Sequence, residues 1–161
     1  MSDTRYLWRR RIGGWLTPAF RFYWRRTRAM TLGVRVLATD SEGRICLVRH
    51  SYIDGWHLPG GGVERDEDVS LSAEREVAEE AGLSPEPGSL TLAGVYRNPT
   101  FRGDHIVLFY LHSWVTCAAK EDGEITDRIW ADPGRLPQDT SPATRRRIDE
   151  YRSAGKPARD W

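Results

Sequence analysis

Gly61-Gly62-Val63-Glu64-Arg65-Asp66-Glu67-Asp68-Val69-Ser70-Leu71-Ser72-Ala73-Glu74-Arg75-Glu76-Val77-Ala78-Glu79-Glu80-Ala81-Gly82-Leu83 carries most of the chemical information in this 161-residue chain. The segment from Asp68 to Ala81 reads as a helix. At about 100° per residue, Glu76 and Glu80 lie about 40° apart and Glu79 about 60° to the other side of Glu76, so three carboxylates share one face. Leu71, Val77, Ala78 and Ala81 occupy other parts of the circumference and are expected to face the core. Carboxylates gathered without compensation raise one another's pKa and cost stability. A hard divalent cation removes that cost, because Mg²⁺ takes oxygen ligands, keeps waters and shares phosphate oxygens with a substrate. Such an ion polarises a phosphoryl group and lowers the pKa of a bound water, which points to hydrolysis at phosphorus. Just upstream, Gly60-Gly61-Gly62 removes side chains where backbone must bend sharply and approach a metal or a phosphate.

The stretch resembles the Nudix box, with Gly61, Glu67, Arg75, Glu76, Val77, Glu79, Glu80, Gly82 and Leu83 filling its fixed positions without a gap. Trp56, Leu58 and Pro59 lead into the glycines as they often do in that family. The resemblance implies an α/β fold, an α/β/α sandwich with a mixed central β-sheet in a single domain. It implies Mg²⁺ or Mn²⁺ as cofactor, with Gly60 supplying a backbone carbonyl ligand, Glu76 and Glu80 side-chain ligands, and Glu79 ligating metal or helping to activate water. Arg75 would pair with Glu67 and brace the glycine loop against the helix. Glu64 sits where many members carry an acid, and Asp66 departs from the glycine common there. The general base varies within the family and often lies outside the box. Glu124 is the leading outside candidate, with an exposed loop charge as its competing explanation. The implied activity is hydrolysis of a pyrophosphate bond in a nucleoside diphosphate linked to another moiety. Pro99, 16 positions after Leu83, is reminiscent of members that cleave ADP-ribose. A non-catalytic nucleotide sensor on the same fold is the alternative.

Working outward, Thr31 to Thr39 alternates loosely and Arg44 to Arg49 encloses a continuous apolar run. Asp40-Ser41-Glu42-Gly43 between them predicts a hairpin. Trp56 to Pro59 reads as a short extended approach to the glycines. After the box, Pro85, Pro87 and Gly88 stop any helix. Leu90 to Tyr96 reads as a strand, and His105 to Val115 as a second strand covered on both faces. Ile125 to Trp130 is a further strand, and Ser141-Pro142 starts a last helix that ends near Gly155. Candidate substrate contacts are Arg49, Trp56, His57, Arg97 and His105. An arginine there could pair with phosphate and Trp56 could stack on a base, with surface ion pairing and core packing as competing readings. His50 lies near a strand end and His112 inside an apolar strand, where structural roles are expected.

Charge divides the chain. Eight arginines against one acid, Asp3, give the first thirty residues +7, which leaves −6 for the remainder of a chain whose total is +1. This basic, aromatic leader, residues 1–30, precedes a domain over 31–155 and a tail over 156–161. Its helical stripe after Thr17-Pro18 is expected to dock on the domain or on a second subunit, as in a homodimer; membrane-surface or nucleic-acid contact are the other readings. Cys46 and Cys117 have no metal-ligand spacing and read as buried free thiols. With no apolar run of about 18 residues and no secretory pattern, a cytoplasmic enzyme acting on a small nucleotide-diphosphate substrate is the expectation.

Overall fold

β1, Thr31–Ala38, is a strand buried on both faces: Val34, Val36 and Ala38 point one way and Leu37 the other, all closed to solvent. A computed structural model describes residues 30–161, so the expectations for the leader fall outside the described residues apart from Met30. Thr31–Trp161 form one unit. Further strands are β2 (Ile45–His50), β3 (Leu83–Pro85), β4 (Leu90–Arg97), β5 (Asp104–Leu111), β6 (Trp114–Thr116) and β7 (Ile125–Ala131); α1 is Val69–Ala81 and α2 is Pro142–Ser153.

The central sheet is mixed. β1 runs parallel to β5 in register from Thr31↔Asp104 to Ala38↔Leu111, and β4 runs antiparallel on the far side of β5. β2 pairs with β7 and β3 with β6, both antiparallel. One core cluster joins Val34, Val36, Val107 and Phe109 to Ala73 and Val77 of α1. The other joins Leu37, Leu47, Leu108 and Tyr96 to Ile148 of α2. Successive strand residues thus serve opposite layers, and the two helices cover opposite faces of an α/β/α sandwich.

Two strand expectations need correction. The Asp40 turn exists, since Asp40 Oδ1 accepts from Glu42 N at 3.0 Å and Arg44 N at 2.8 Å. Yet only the Thr39↔Ile45 bridge joins its arms, and β1 and β2 then separate to different partners. The edge of β1 that a hairpin would have used is taken by the glycine loop: Val34 N donates to Gly61 O at 2.8 Å, Val36 N to Pro59 O at 2.9 Å, and Val63 N to Leu32 O at 2.9 Å. The run from His105 to Val115 is not one strand either. β5 ends at Leu111, His112 and Ser113 are exposed, and the chain resumes as β6 beside β3. His112 therefore lies outside the apolar strand, with Nδ1 2.8 Å from Thr39 Oγ1.

α1 begins one residue later than Asp68, whose carboxylate caps it by accepting from Ser70 N and Leu71 N. It ends at Gly82, in the left-handed region at φ 70°. Its buried positions are Ser72, Ala73, Val77 and Glu80, and Leu71 is 57% exposed. Leu71 lies about 160° around the helix from Ala73, so packing Ala73 and Val77 inward turns it to solvent. Of the two free cysteines, Cys46 is buried and Cys117 only half-buried. Residues after α2 are tied to the sheet: Arg97 N donates to Arg159 O at 3.0 Å and Trp161 N to Arg97 O at 2.9 Å. Arg147, 1% exposed, packs its guanidinium against the rings of both Tyr96 and Trp161, which also touch each other edge to face.

Candidate active site

The glycine loop sits where β1 and α1 meet; Gly60 is required there by its backbone, and Gly61 leaves room for the Glu76 carboxylate. Gly60 has φ 140°, and a Cβ on it would enter the β1 backbone at Val34 and Arg35. A Cβ on Gly61 would lie 2.6 Å from both carboxylate oxygens of Glu76. The loop is thus bare where the box carboxylates approach it. Gly60 N donates to Glu80 Oε2 at 2.7 Å in a buried bond, which fixes one oxygen of Glu80 against the loop. The other, Oε1, lies 3.8 Å from Nδ1 of His50.

Arg75 and Glu67 are brought together. Arg75 Nε donates to Glu67 Oε1 at 2.9 Å and Nη2 to Oε2 at 3.0 Å, a two-pronged pair that also takes in Glu76 through Nη1 at 2.6 Å. Ser72 Oγ also donates to Glu67. Arg75 and these hydrogen bonds pull the Glu67 carboxyl down to about 2. Burial acts oppositely nearby, raising Glu76 and carrying Glu80 up to about 7. Glu79 is more open and lies 3.7 Å from Lys120 Nζ, which also pairs with Asp122 at 3.0 Å.

The loop before β7 completes this face. Glu124 Oε1 accepts from Tyr52 Oη at 2.9 Å, and Glu124 O accepts from Ser51 N at 2.8 Å. His50, Glu80 and Glu124 each offer a ligand atom, all within 4.8 Å of one another. Burial, with Arg35 and His57 as positive neighbours, lowers His50 to about 4. These donors fit a divalent cation: oxygen-rich, convergent, partly desolvated, and with Glu80 Oε1 and His50 Nδ1 too far apart to satisfy each other.

Beside the carboxylates opens a cleft of about 380 Å³ whose walls include Gly60 to Gly62, Glu80, Glu124, Tyr52 and Arg35, together with Asn98, Phe101 and Asp104. Arg35 Nη1 is closed to solvent and has no hydrogen-bond partner among the described residues. Asn98 Nδ2 donates to Asp104 at 2.8 Å, and Phe101 is 66% exposed.

None of the five candidate substrate contacts lines this cleft. Arg49 bonds Asp139 at 2.6 Å and lies 4.5 Å over the ring of Trp56, which is 6% exposed and part of the core. The His57 ring bonds Asp54 O at 2.9 Å. Arg97 makes a paired contact with Asp160 at 2.8 and 2.9 Å. His105 has a buried, unpartnered Nδ1. Sequence reasoning missed Arg35, Tyr52, Asn98, Phe101 and Asp104, and gave His50 no chemical role. The signal for Arg35 was a lone cation between Val34 and Val36 in a buried strand; an exposed Tyr52 or Phe101 in a polar loop gave none.

Comparison with known proteins agrees with this geometry. The NUDIX domain model matches residues 29–151. A Bacillus subtilis protein provisionally named an 8-oxo-dGTP diphosphatase is 31% identical over 127 residues, 78% of this chain and 83% of that protein. The solved MutT NUDIX hydrolase of Burkholderia pseudomallei is 26% identical with a TM-score of 0.63, covering 75% of this chain and 97% of that one. An ADP-ribose pyrophosphatase from Streptococcus suis shares the fold at 19% identity and a TM-score of 0.59, covering 83% of this chain and 100% of that one. Among the described residues no helix is long and apolar enough to cross a membrane. With a family match over most of its length and the box carboxylates gathered on the glycine loop, the chain belongs to the Nudix hydrolase family and is a Nudix-type pyrophosphohydrolase.

Proposed function

We propose that the cleft binds a nucleoside diphosphate linked to another moiety and that the P–O–P bridge is cut at the carboxylate face. The observation that carries this reading is that Glu80 and Glu124 line both the cleft that holds Arg35, whose Nη1 has no partner among the described residues, and the adjoining pocket that holds Glu76 and Glu79. Glu76, Glu79, Glu80 and the Gly60 carbonyl would hold Mg²⁺ or Mn²⁺. Such an ion, when bound, neutralises phosphate charge and lowers the pKa of a water. Glu124, oriented by Tyr52, takes the proton of the attacking water; the water oxygen bonds to phosphorus and the bridging oxygen leaves with the other phosphate. Arg35 pairs with a non-bridging phosphate oxygen, which supplies the partner its Nη1 lacks. Arg75 acts indirectly, by holding Glu76 and the loop in place.

The test is a panel of nucleoside diphosphate derivatives with Mg²⁺ or Mn²⁺ in ¹⁸O-labelled water, with product masses recorded and Glu80→Gln run in parallel. Metal-dependent products labelled at one phosphate, lost in the variant, are expected. Failure of the folded, metal-loaded protein to cut any member would reject the reading.

A further inference from the structure

His50 ends β2 at a register irregularity between Arg49 and His50. Such irregularities re-aim a side chain, and this one turns the imidazole toward the carboxylates. The residue is 6% exposed, and Nδ1 is closed to solvent with no hydrogen-bond partner among the described residues. Its ring is flanked by Tyr52 at 5.2 Å and His57 at 5.8 Å. The nearest acceptor is Glu80 Oε1 at 3.8 Å, beyond hydrogen-bond reach. The buried bond from Gly60 N to Oε2 holds Glu80 in this orientation.

A buried nitrogen and a buried carboxylate oxygen thus face each other across a gap that neither closes. Two ligands on an ion at about 2.1 Å stand about 3 Å apart when adjacent in an octahedron and about 4.2 Å when opposite. The 3.8 Å gap falls about 0.4 Å short of the opposite spacing and is too wide for a hydrogen bond, and Glu124 has an oxygen within 4.8 Å of both atoms. We propose that His50 Nδ1 is a metal ligand beside Glu80 Oε1, giving a mixed nitrogen and oxygen centre that favours a first-row transition cation such as Mn²⁺ over Mg²⁺ and leaves Glu124 at its edge as the base. Imidazole suits such ions, whereas Mg²⁺ prefers an all-oxygen shell. The assignment rests on the metal-dependent reading above and adds to it a nitrogen donor from outside the box.

The test is pulsed electron paramagnetic resonance of the full chain with Mn²⁺, combined with Mg²⁺ competition. ¹⁴N modulation from a directly bound imidazole is expected. It should be replaced by the ¹⁵N pattern after histidine-selective labelling, persist in His57→Gln and vanish in His50→Gln. The preference for Mn²⁺ over Mg²⁺ should fall about tenfold in His50→Gln. If His50→Gln does not fold, labelling of the unaltered protein still tests for an imidazole ligand, and persistence of the signal in His57→Gln, His105→Gln and His112→Gln assigns it to His50. Bound Mn²⁺ without nitrogen modulation would overturn the ligand assignment and leave the oxygen-ligated reading standing, with a water filling the gap. No Mn²⁺ binding to the folded protein would overturn both.

Discussion

Glu80→Gln should stabilise the metal-free protein while destroying its function. Burial raises the Glu80 carboxyl from 4.5 to about 7. Below about pH 4.5 the group is protonated both folded and unfolded. Between there and about 7 the unfolded chain releases the proton while the folded one keeps it, so stability falls as pH rises, and above about 7 the penalty is complete. That interval is worth about 3 kcal/mol. Glutamine removes the charge, keeps an oxygen for Gly60 N and turns an amide toward His50 Nδ1. His50 works in the other direction: its folded value of about 4 against 6.5 makes stability rise with pH between those values. The wild-type curve therefore mixes two opposed contributions, and the difference between variant and wild type isolates Glu80. Denaturant unfolding in chelator from pH 4.5 to 8 should give a difference near zero at the acid end and about 3 kcal/mol in favour of the variant at pH 8. At about 2–4 °C per kcal/mol, that is about 6–12 °C in Tm. Saturating Mn²⁺ at pH 8 should then stabilise the wild type and barely move the variant. A difference independent of pH, or a variant less stable than wild type at pH 8, would refute the reasoning.

Gly61→Ala places a methyl 2.6 Å from the Glu76 carboxylate; turnover should fall at least about 100-fold with secondary structure intact by circular dichroism. Glu124→Gln should lower kcat at least about tenfold with little change in unfolding free energy, and Tyr52→Phe should lower it less, as expected for a residue that acts by holding Glu124. Arg35→Ala should raise KM for the diphosphate by about tenfold or more, with Arg35→Lys only partly restoring it, in steady-state assays. Arg147→Ala, which empties a buried position beside Tyr96, Trp161 and Glu150, should destabilise by about 3 kcal/mol in denaturant unfolding without changing KM.

The chemistry written in one continuous window was the legible part. Helical spacing from Arg75 to Glu80 is local, so a 3.6-residue period places those carboxylates without knowledge of the rest of the chain. The same period could not choose between Leu71 and Ser72 as the buried residue, because that depends on where β1 and β5 pass beneath the helix. Pairing was harder still. Asp40 to Gly43 has turn chemistry and makes a turn, yet β1 gives its edge to the glycine loop and β2 goes to β7. Nothing local distinguishes that outcome from a hairpin. The same pairing builds the site, because bonding Gly61 and Pro59 to Val34 and Val36 carries Arg35, which lies between those two residues, to the cleft. A residue 26 positions before Gly61 becomes its neighbour through two backbone hydrogen bonds. The candidates drawn from composition failed to reach the cleft for a related reason: Arg49 and Arg97 each found a carboxylate, Asp139 and Asp160, that only the folded C-terminal half supplies. Arg35 Nη1 has no partner among the described residues, and an unpaired guanidinium nitrogen in a cleft lined by Glu80 and Glu124 suits the phosphate contact proposed above.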